Sequence, residues 1–232
     1  MTTEKSLLSN DNLFQLSQAE LLNISPAVVH FLQETFFPWN ALGKKLEKFV
    51  IECISKIEPS QRIKGRVSPQ AFIDDTEGLV VGEGAIIEAG AYVSGPTFIE
   101  PGAIVRHGAY VRGNVYVCKG AVVGHTTEIK GSLLLPLAKA AHFAYVGDSI
   151  LGVDSNLGAG TKLANLRFDH KNIALRAADE LIETGLKKFG AIFGNGAQSG
   201  CNSVTNPGTI LMPGAMILPT ANARGIVKSR KS

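Results

Sequence analysis

Residues 81–135 read VGEGAIIEAGAYVSGPTFIEPGAIVRHGAYVRGNVYVCKGAVVGHTTEIKGSLLL. In steps of six from Val81 come Ile87, Val93, Ile99, Val105, Val111, Val117, Val123, Ile129 and Leu135, aliphatic at every step. Four places on in each hexad the residue is mostly small (Ala85, Ala91, Thr97, Ala103, Ala109, Ala121, Thr127). Three places on it is mostly Gly, Pro or Asn (Gly84, Gly90, Pro96, Gly102, Gly108, Asn114, Gly120). A period of six is neither the alternation of an ordinary strand nor the helical repeat. Each hexad supplies one short strand and one corner, where Gly or Asn accepts φ > 0. The aliphatic and small residues face inward, into a prism too narrow for two bulky layers. Three hexads make an 18-residue coil, and coils stack about 4.8 Å apart. The fold is a solenoid of triangular coils.

The pattern resembles the hexapeptide-repeat family, whose fold is a left-handed parallel β-helix. The left hand is implied by the resemblance, since ordinary parallel crossovers are right-handed. The expected class is mainly β with a small α-helical N-terminal cap. Val67 and Ile73 extend the register backwards, with two extra residues before Val81. After Leu135 the segment 136–144 leaves it and is expected to loop out near 136–145, before Val146, Leu151, Leu157 and Leu163 resume. A second excursion is expected over 166–190, and Phe193, Leu211 and Ile217 rebuild the last coils. The β-helix domain is thus placed at 61–232.

Residues 1–60 read as helices. Ser17-Gln-Ala-Glu20 has the form of a capping box, and Ser25-Pro26 that of an N-cap followed by Pro at the first helical position. From Pro38 to Ile57 the apolar set Trp39, Leu42, Leu46, Phe49, Val50, Cys53 and Ile57 recurs at helical spacing. A cap over the open N-terminal end of the solenoid is expected, as terminal repeats require.

Composition excludes several classes. At 45% hydrophobic and 19% charged residues the chain is not disordered, and no apolar run approaches a membrane span. No leader pattern opens it. Three cysteines, scattered and in no CxxC pattern, speak for a reducing, cytoplasmic setting and against a disulfide framework. A net charge of +3, dispersed, does not announce nucleic-acid binding. The expected protein is a cytoplasmic one that inserts in no membrane.

The coil length makes stacking countable. Arg106 lies one coil above Glu88, which suggests an ion pair. Arg112 has Ser94 below and Lys130 above, two cations about 5 Å apart with no carboxylate in the column. At an effective dielectric of about 20 their repulsion is on the order of 3 kcal/mol. Solvent, a neighbouring chain or an anion such as phosphate would relieve it. His107 and His125 also stack, but no third histidine follows at a matching spacing, so no metal site is expected. His142 sits in the register-breaking loop amid Lys139, Tyr145, Asp148, Asn156, Asn165, Arg167, Asp169 and Lys171. Loops on a rigid scaffold are where function collects.

These residues carry a closer resemblance. Glu128-Ile-Lys130, His142-Phe-Ala-Tyr145-Val-Gly-Asp-Ser, Asn156-Leu-Gly-Ala-Gly-Thr161 and Asn165-Leu-Arg-Phe-Asp are similar to the acetyltransferase half of the bifunctional glucosamine-1-phosphate N-acetyltransferase / N-acetylglucosamine-1-phosphate uridyltransferases. The likeness runs over about 65–230 and includes Thr184-Gly-Leu-Lys-Lys-Phe-Gly-Ala191. It implies His142 as the general base that takes a proton from the substrate amine, a task suited to imidazole. It implies Arg112, Lys130 and Tyr145 on the sugar phosphate, and Asn156, Asn165 and Lys171 on the sugar and amine. The Ala159 backbone N–H would face the thioester carbonyl. Asn195, Pro213 and Arg230 match acetyl-CoA contacts, with acetyl-CoA as co-substrate, no metal, and active sites between subunits of a homotrimer.

The departures are informative. Nothing reads as a Gly-rich nucleotide loop, so uridyl transfer is not expected. Arg112 is followed by Gly-Asn where the family often has Pro-Gly, and Pro136-Leu-Ala-Lys-Ala-Ala-His142 is untypical. Glucosamine 1-phosphate is the expected acceptor. A nucleotide-linked amino sugar and a non-catalytic phosphosugar-binding scaffold remain open.

Overall fold

A computed structural model describes residues 3–177 and 180–229. Its main body is three parallel sheets of eight strands each, every strand paired with its counterpart one coil away. The first sheet runs from Arg66–Val67 to Met216–Ile217, the second from Phe72–Ile73 to Asn222–Ala223, and the third from Leu79–Val81 to Ile226–Val227. This is a left-handed parallel β-helix. The inward residues Val81, Val93, Val105, Val111, Val117, Val123 and Ile129 are fully buried in one continuous core. Their β-branched side chains suit a pleated, crowded wall.

The expected loop near 136–145 is corrected. Lys139–His142 is a strand of the first sheet, pairing Val122 with Lys139, Val123 with Ala140 and His125 with His142. Its cause is a shortened corner. Positive-φ residues mark the corners at Gly120, Thr126, Gly131, Leu137, Phe143, Asp148, Asp154 and Gly160, and two of these steps are five residues instead of six. The coil is therefore 17 residues long, as the pairing of Val117 with Leu134 shows. Leu134, not Leu135, enters the inner core, and Ala140 and Val146 follow it in phase. Gly124 accommodates the shift, since a Cβ there would overlap the Ala141 backbone.

The second excursion does leave the solenoid. An arm departs at Asn165 and returns at Phe189, whose N–H donates to the Asn165 carbonyl at 2.9 Å. It carries the antiparallel hairpin Ala174–Ala177 and Glu180–Glu183.

The N-terminal helices lie elsewhere than expected. Outward on the third sheet stand Val80, Phe98, Tyr116, Leu133, Ile150, Ile192, Ile210 and Ile226, one per coil and all apolar. The helices Asn10–Phe14, Pro26–Gln33 and Lys44–Ser55 cover this face along the length of the solenoid, with the arm's Ile173, Leu175, Ile182 and Phe189 beside them. Phe49 packs on Tyr116 at 5.3 Å between ring centroids, and Tyr116 stacks on Phe98 at 4.8 Å. Burying such a side chain is worth roughly 1.5–3 kcal/mol. The amphipathic stripe has its expected buried role, but against a flank of the prism and not its end. Ser17 caps no helix, and its N–H donates to Asp11 Oδ1. Ser25 is an N-cap with Pro26 in the first turn.

Candidate active site

Each coil has three corners, and the site residues divide among them. On the corner between the first and second sheets, His107, His125, His142, Ala159 and Cys201 occupy one column. The third histidine thus falls in register after all, because the 17-residue coil puts His142 opposite His125. The side chains differ in setting. His107 and His125 stack at 5.5 Å, and their Nδ1 atoms lie 2.6 and 2.8 Å from the carbonyls of Ala89 and His107. Phe143, held at φ 53, packs its ring against His125. The His142 imidazole is exposed, with no hydrogen bond to its ring among the described residues. Among the described residues, no group of three His, Cys, Asp or Glu side chains is placed to hold a metal ion. The Glu88–Arg106 pair does not form: Glu88 Oε2 accepts the His107 N–H at 2.8 Å.

Ala159 lies one coil beyond His142. The Gly160 N–H donates to the His142 carbonyl at 3.0 Å, and the Ala159 carbonyl accepts from Asn202 N–H at 2.8 Å. The Ala159 N–H itself donates to no acceptor among the described residues. A free amide at a corner, next to a free imidazole, is an arrangement that suits acyl transfer.

The corner between the second and third sheets gathers Arg112, Lys130 and Asn165, with Tyr145 on the second sheet beside them. The expectation that the two cations lack carboxylates is corrected. Arg112 Nη1 donates to Glu128 Oε1 at 2.7 Å, and Lys130 Nζ donates to both Asp148 oxygens at 2.9 Å. Asn165 Nδ2 donates to Asp148 Oδ2. In the observed register Gly147 is opposite Lys130 on the next coil, so Glu128 and Asp148 both stand outside the column of the two cations. Gly147 keeps room here, since a Cβ on it would lie 2.6 Å from Asn165 Nδ2 and 2.7 Å from Tyr145 Oη. Burial, with Asp148 and Glu128 nearby, pushes the Tyr145 phenol above its ordinary pKa and keeps it a donor. Glu128 raises that of Arg112.

Other expected residues stand apart. Asn156 is on the first sheet between Lys139 and Gln198. Lys171 is exposed on the arm, its N–H donating to Asp169, whose carboxyl Arg167 holds well below the usual range. Asn195 serves the fold: Nδ2 donates to the Phe14 carbonyl at 2.9 Å and Oδ1 accepts the Val153 N–H at 2.9 Å. Pro213 lines an apolar cleft of about 310 Å³ with Leu7, Leu8, Met212 and Ile226. Arg230 lies outside the described residues. No described helix is long and apolar enough to cross a membrane.

Comparisons with known proteins bear on the family of the chain. A family profile described as the GMPPB C-terminal domain matches residues 93–222. The chain is 31% identical over 188 residues to a bifunctional sugar-1-phosphate nucleotidylyltransferase/acetyltransferase of Sulfurisphaera tokodaii, covering 79% of this chain and 44% of that protein. It is 38% identical over 180 residues to the bifunctional protein GlmU of Methanococcus maripaludis, covering 78% and 41%. The chain spans less than half the length of these two relatives. The Escherichia coli protein YaiX, named only as an uncharacterized acetyltransferase, is 26% identical over 84% of this chain and 82% of its own. The chain belongs to the family of GMPPB C-terminal domains, built on the β-helix of the hexapeptide-repeat acyltransferases.

Proposed function

We propose that the protein is an acetyl-CoA-dependent N-acetyltransferase whose acceptor is an amino-sugar phosphate, with glucosamine 1-phosphate first among the candidates. The observation that carries this reading is the pairing of a free imidazole at His142 with an unpaired N–H at Ala159 on the next coil of one corner. The acceptor amine attacks the thioester carbonyl carbon while His142 takes the amine proton. The Ala159 N–H holds the oxyanion as it develops. The oxyanion collapses, the carbon–sulfur bond breaks, and the proton on His142 passes to the departing thiolate. The products are the acetamide and free CoA thiol. A base and an N–H donor suffice, so the route needs no metal.

Arg112, Lys130, Tyr145 and Asn165 bind the acceptor from the second sheet. Asn156 on the first sheet and Lys171 on the arm reach a shared site when a second copy lies alongside. The helices cover the third sheet, which among the described residues leaves the two faces flanking the His142 corner for that copy. A homotrimer with sites between subunits meets this condition. Pro213 and its cleft take part of the coenzyme. A cytoplasmic location suits acetyl-CoA as donor, and the relatives named above support the reading.

A nucleotide-linked amino sugar is the second reading. Phe72, Tyr92 and Tyr110 form an aromatic ladder on the second sheet, with centroid separations of 4.8 and 5.2 Å. Phe72 and Tyr110 are exposed, and such a surface can stack a base. The test is thiol release from acetyl-CoA with glucosamine 1-phosphate, galactosamine 1-phosphate and UDP-glucosamine offered in parallel. Release with a hexosamine 1-phosphate that His142→Ala abolishes, its fold intact, is the expected result. Full activity in that variant rejects the general-base role. Silence with all three acceptors rejects the acetyltransferase reading.

A further inference from the structure

The helices that cover the third sheet turn a charged face away from it. Between Pro26–Gln33 and Lys44–Ser55 runs a cleft of about 640 Å³, large enough to hold several side chains of another molecule. Lys44, Lys45, Lys48 and Lys56 line it against Glu34 and Glu52, a formal +2, where the whole chain carries +3. We propose that this cleft is a docking surface for an acidic segment of another protein. The segment it fits is extended, with carboxylates at both ends and apolar side chains between them. The proposal stands apart from the acetyl-transfer reading and uses none of its residues.

The pairing inside the cleft locates the excess charge. Glu34 is taken twice, by Lys45 at 3.2 Å and by His30 at 3.5 Å, and Glu52 lies 3.6 Å from Lys48. Lys44 and Lys56 form no ion pair among the described residues. Glu47, the helix's other carboxylate, lines the cleft beside Arg112 and not this one, and Lys44 borders both. Lys44, Lys48, Glu52 and Lys56 follow at intervals of four, which makes one stripe on the helix. Its end lysines are about 18 Å apart along the axis, a span that an extended chain covers in about five or six residues. Between them Phe31 and Phe49, stacked at 4.1 Å, form an apolar floor. A peptide also brings amide N–H donors to the two glutamates in the middle of the cleft. Nucleic acid matches less well. Its charges follow without a gap, so some would face Glu34 and Glu52. The two rings, only 4% and 8% exposed, are too buried to stack bases. A membrane surface needs an apolar face to insert, and the rim here is charged.

The experiment is fluorescence anisotropy of a labelled peptide, Glu-Glu-Gly-Leu-Leu-Gly-Glu-Glu, titrated with the full chain. Saturable binding that weakens as salt is added is the expected result. Lys48 and Lys56 are exposed, so Lys48→Glu combined with Lys56→Glu should fold as the parent does, which circular dichroism checks. This double variant is expected to weaken binding about tenfold. Lys187→Glu combined with Arg224→Glu changes the net charge equally at exposed positions outside the cleft, and should bind as the parent. Absence of binding in the parent overturns the proposal. So does equal affinity in the cleft variant, or the same weakening in both variants, which would make net charge and not the cleft responsible. A thymidine oligonucleotide and phosphatidylserine vesicles are titrated in parallel. Tighter binding of either one, lost with Lys48 and Lys56, overturns the peptide as occupant.

Discussion

Lys130 and Asp148, on neighbouring coils, close a two-pronged ion pair with Nζ 2.9 Å from each carboxylate oxygen. Their side chains are only 19% and 10% exposed, so the pair is largely shielded from water. Removing one partner strands the other charge. Asp148→Ala is therefore expected to lower stability by about 2 kcal/mol, less than for a fully buried pair, as read by urea unfolding. Asp148→Asn keeps the shape and frees Lys130, and should lower the KM for a phosphorylated acceptor.

Gly147 separates a structural from a functional role for its neighbours. In Gly147→Ala the new methyl displaces the ends of Tyr145 and Asn165, both of which can swing away. The expected stability change is under about 1 kcal/mol, with a raised KM for the acceptor. An unchanged KM would show that these two side chains do not contact it.

Asn195 docks the N-terminal segment onto the solenoid, reaching Phe14 across 181 positions of sequence. Asn195→Ala leaves the Val153 N–H and the Phe14 carbonyl without this partner, at a cost of about 2–3 kcal/mol. Hydrogen exchange should show amides of residues 8–18 losing protection first, while those of the coils between Thr97 and Leu163 keep theirs. Equal loss everywhere would assign Asn195 a wider role.

The cysteines differ in reactivity. Cys201 is exposed, Cys118 is fully buried with its thiol raised well above the ordinary value, and burial pushes Cys53 up to about 11. A thiol reagent at pH 8 should modify Cys201 alone in the native protein and all three after unfolding. Rapid native labelling of a second thiol would contradict the packing of Phe49 and Tyr116 over that region.

From Val81 to Ile129 the solenoid was legible because each hexad kept both its length and its aliphatic residue. Legibility failed at Gly131, where a corner shortened by one residue shifted the phase. Leu133-Leu134-Leu135 then offered an aliphatic residue at either phase, and Ala140 gave no bulky marker to correct it. Gly124 was the available sign: it stands where earlier coils hold Glu88 and Arg106, and it is small because Ala141 crosses over it. Helical periodicity showed that residues 44–55 have a buried face, but a helix carries no address for its partner. The address was in the solenoid, where Val80, Phe98, Tyr116, Leu133 and Ile150 keep one outward row apolar. At the site, His142 was expected in a loop, whereas it ends a strand of the first sheet. The cation pair was misread because its carboxylates lie beside the column and not in it: Glu128 two places before Lys130, and Asp148 one place after Gly147, which is opposite Lys130.

The helices along the third sheet also bear on how the molecule comes apart. A stack of coils that touch only their neighbours frays from its ends and melts piecemeal. Here the N-terminal helices reach both an early and a late coil, through Phe49 on Tyr116 and through Leu13 and Phe14, whose carbonyls accept from Asn195. Opening any coil on that face disturbs the same strap of helices, so the free energies of separate coils are linked. A single sharp calorimetric transition is the expected signature, and the strap is what turns a linear array into one cooperative body.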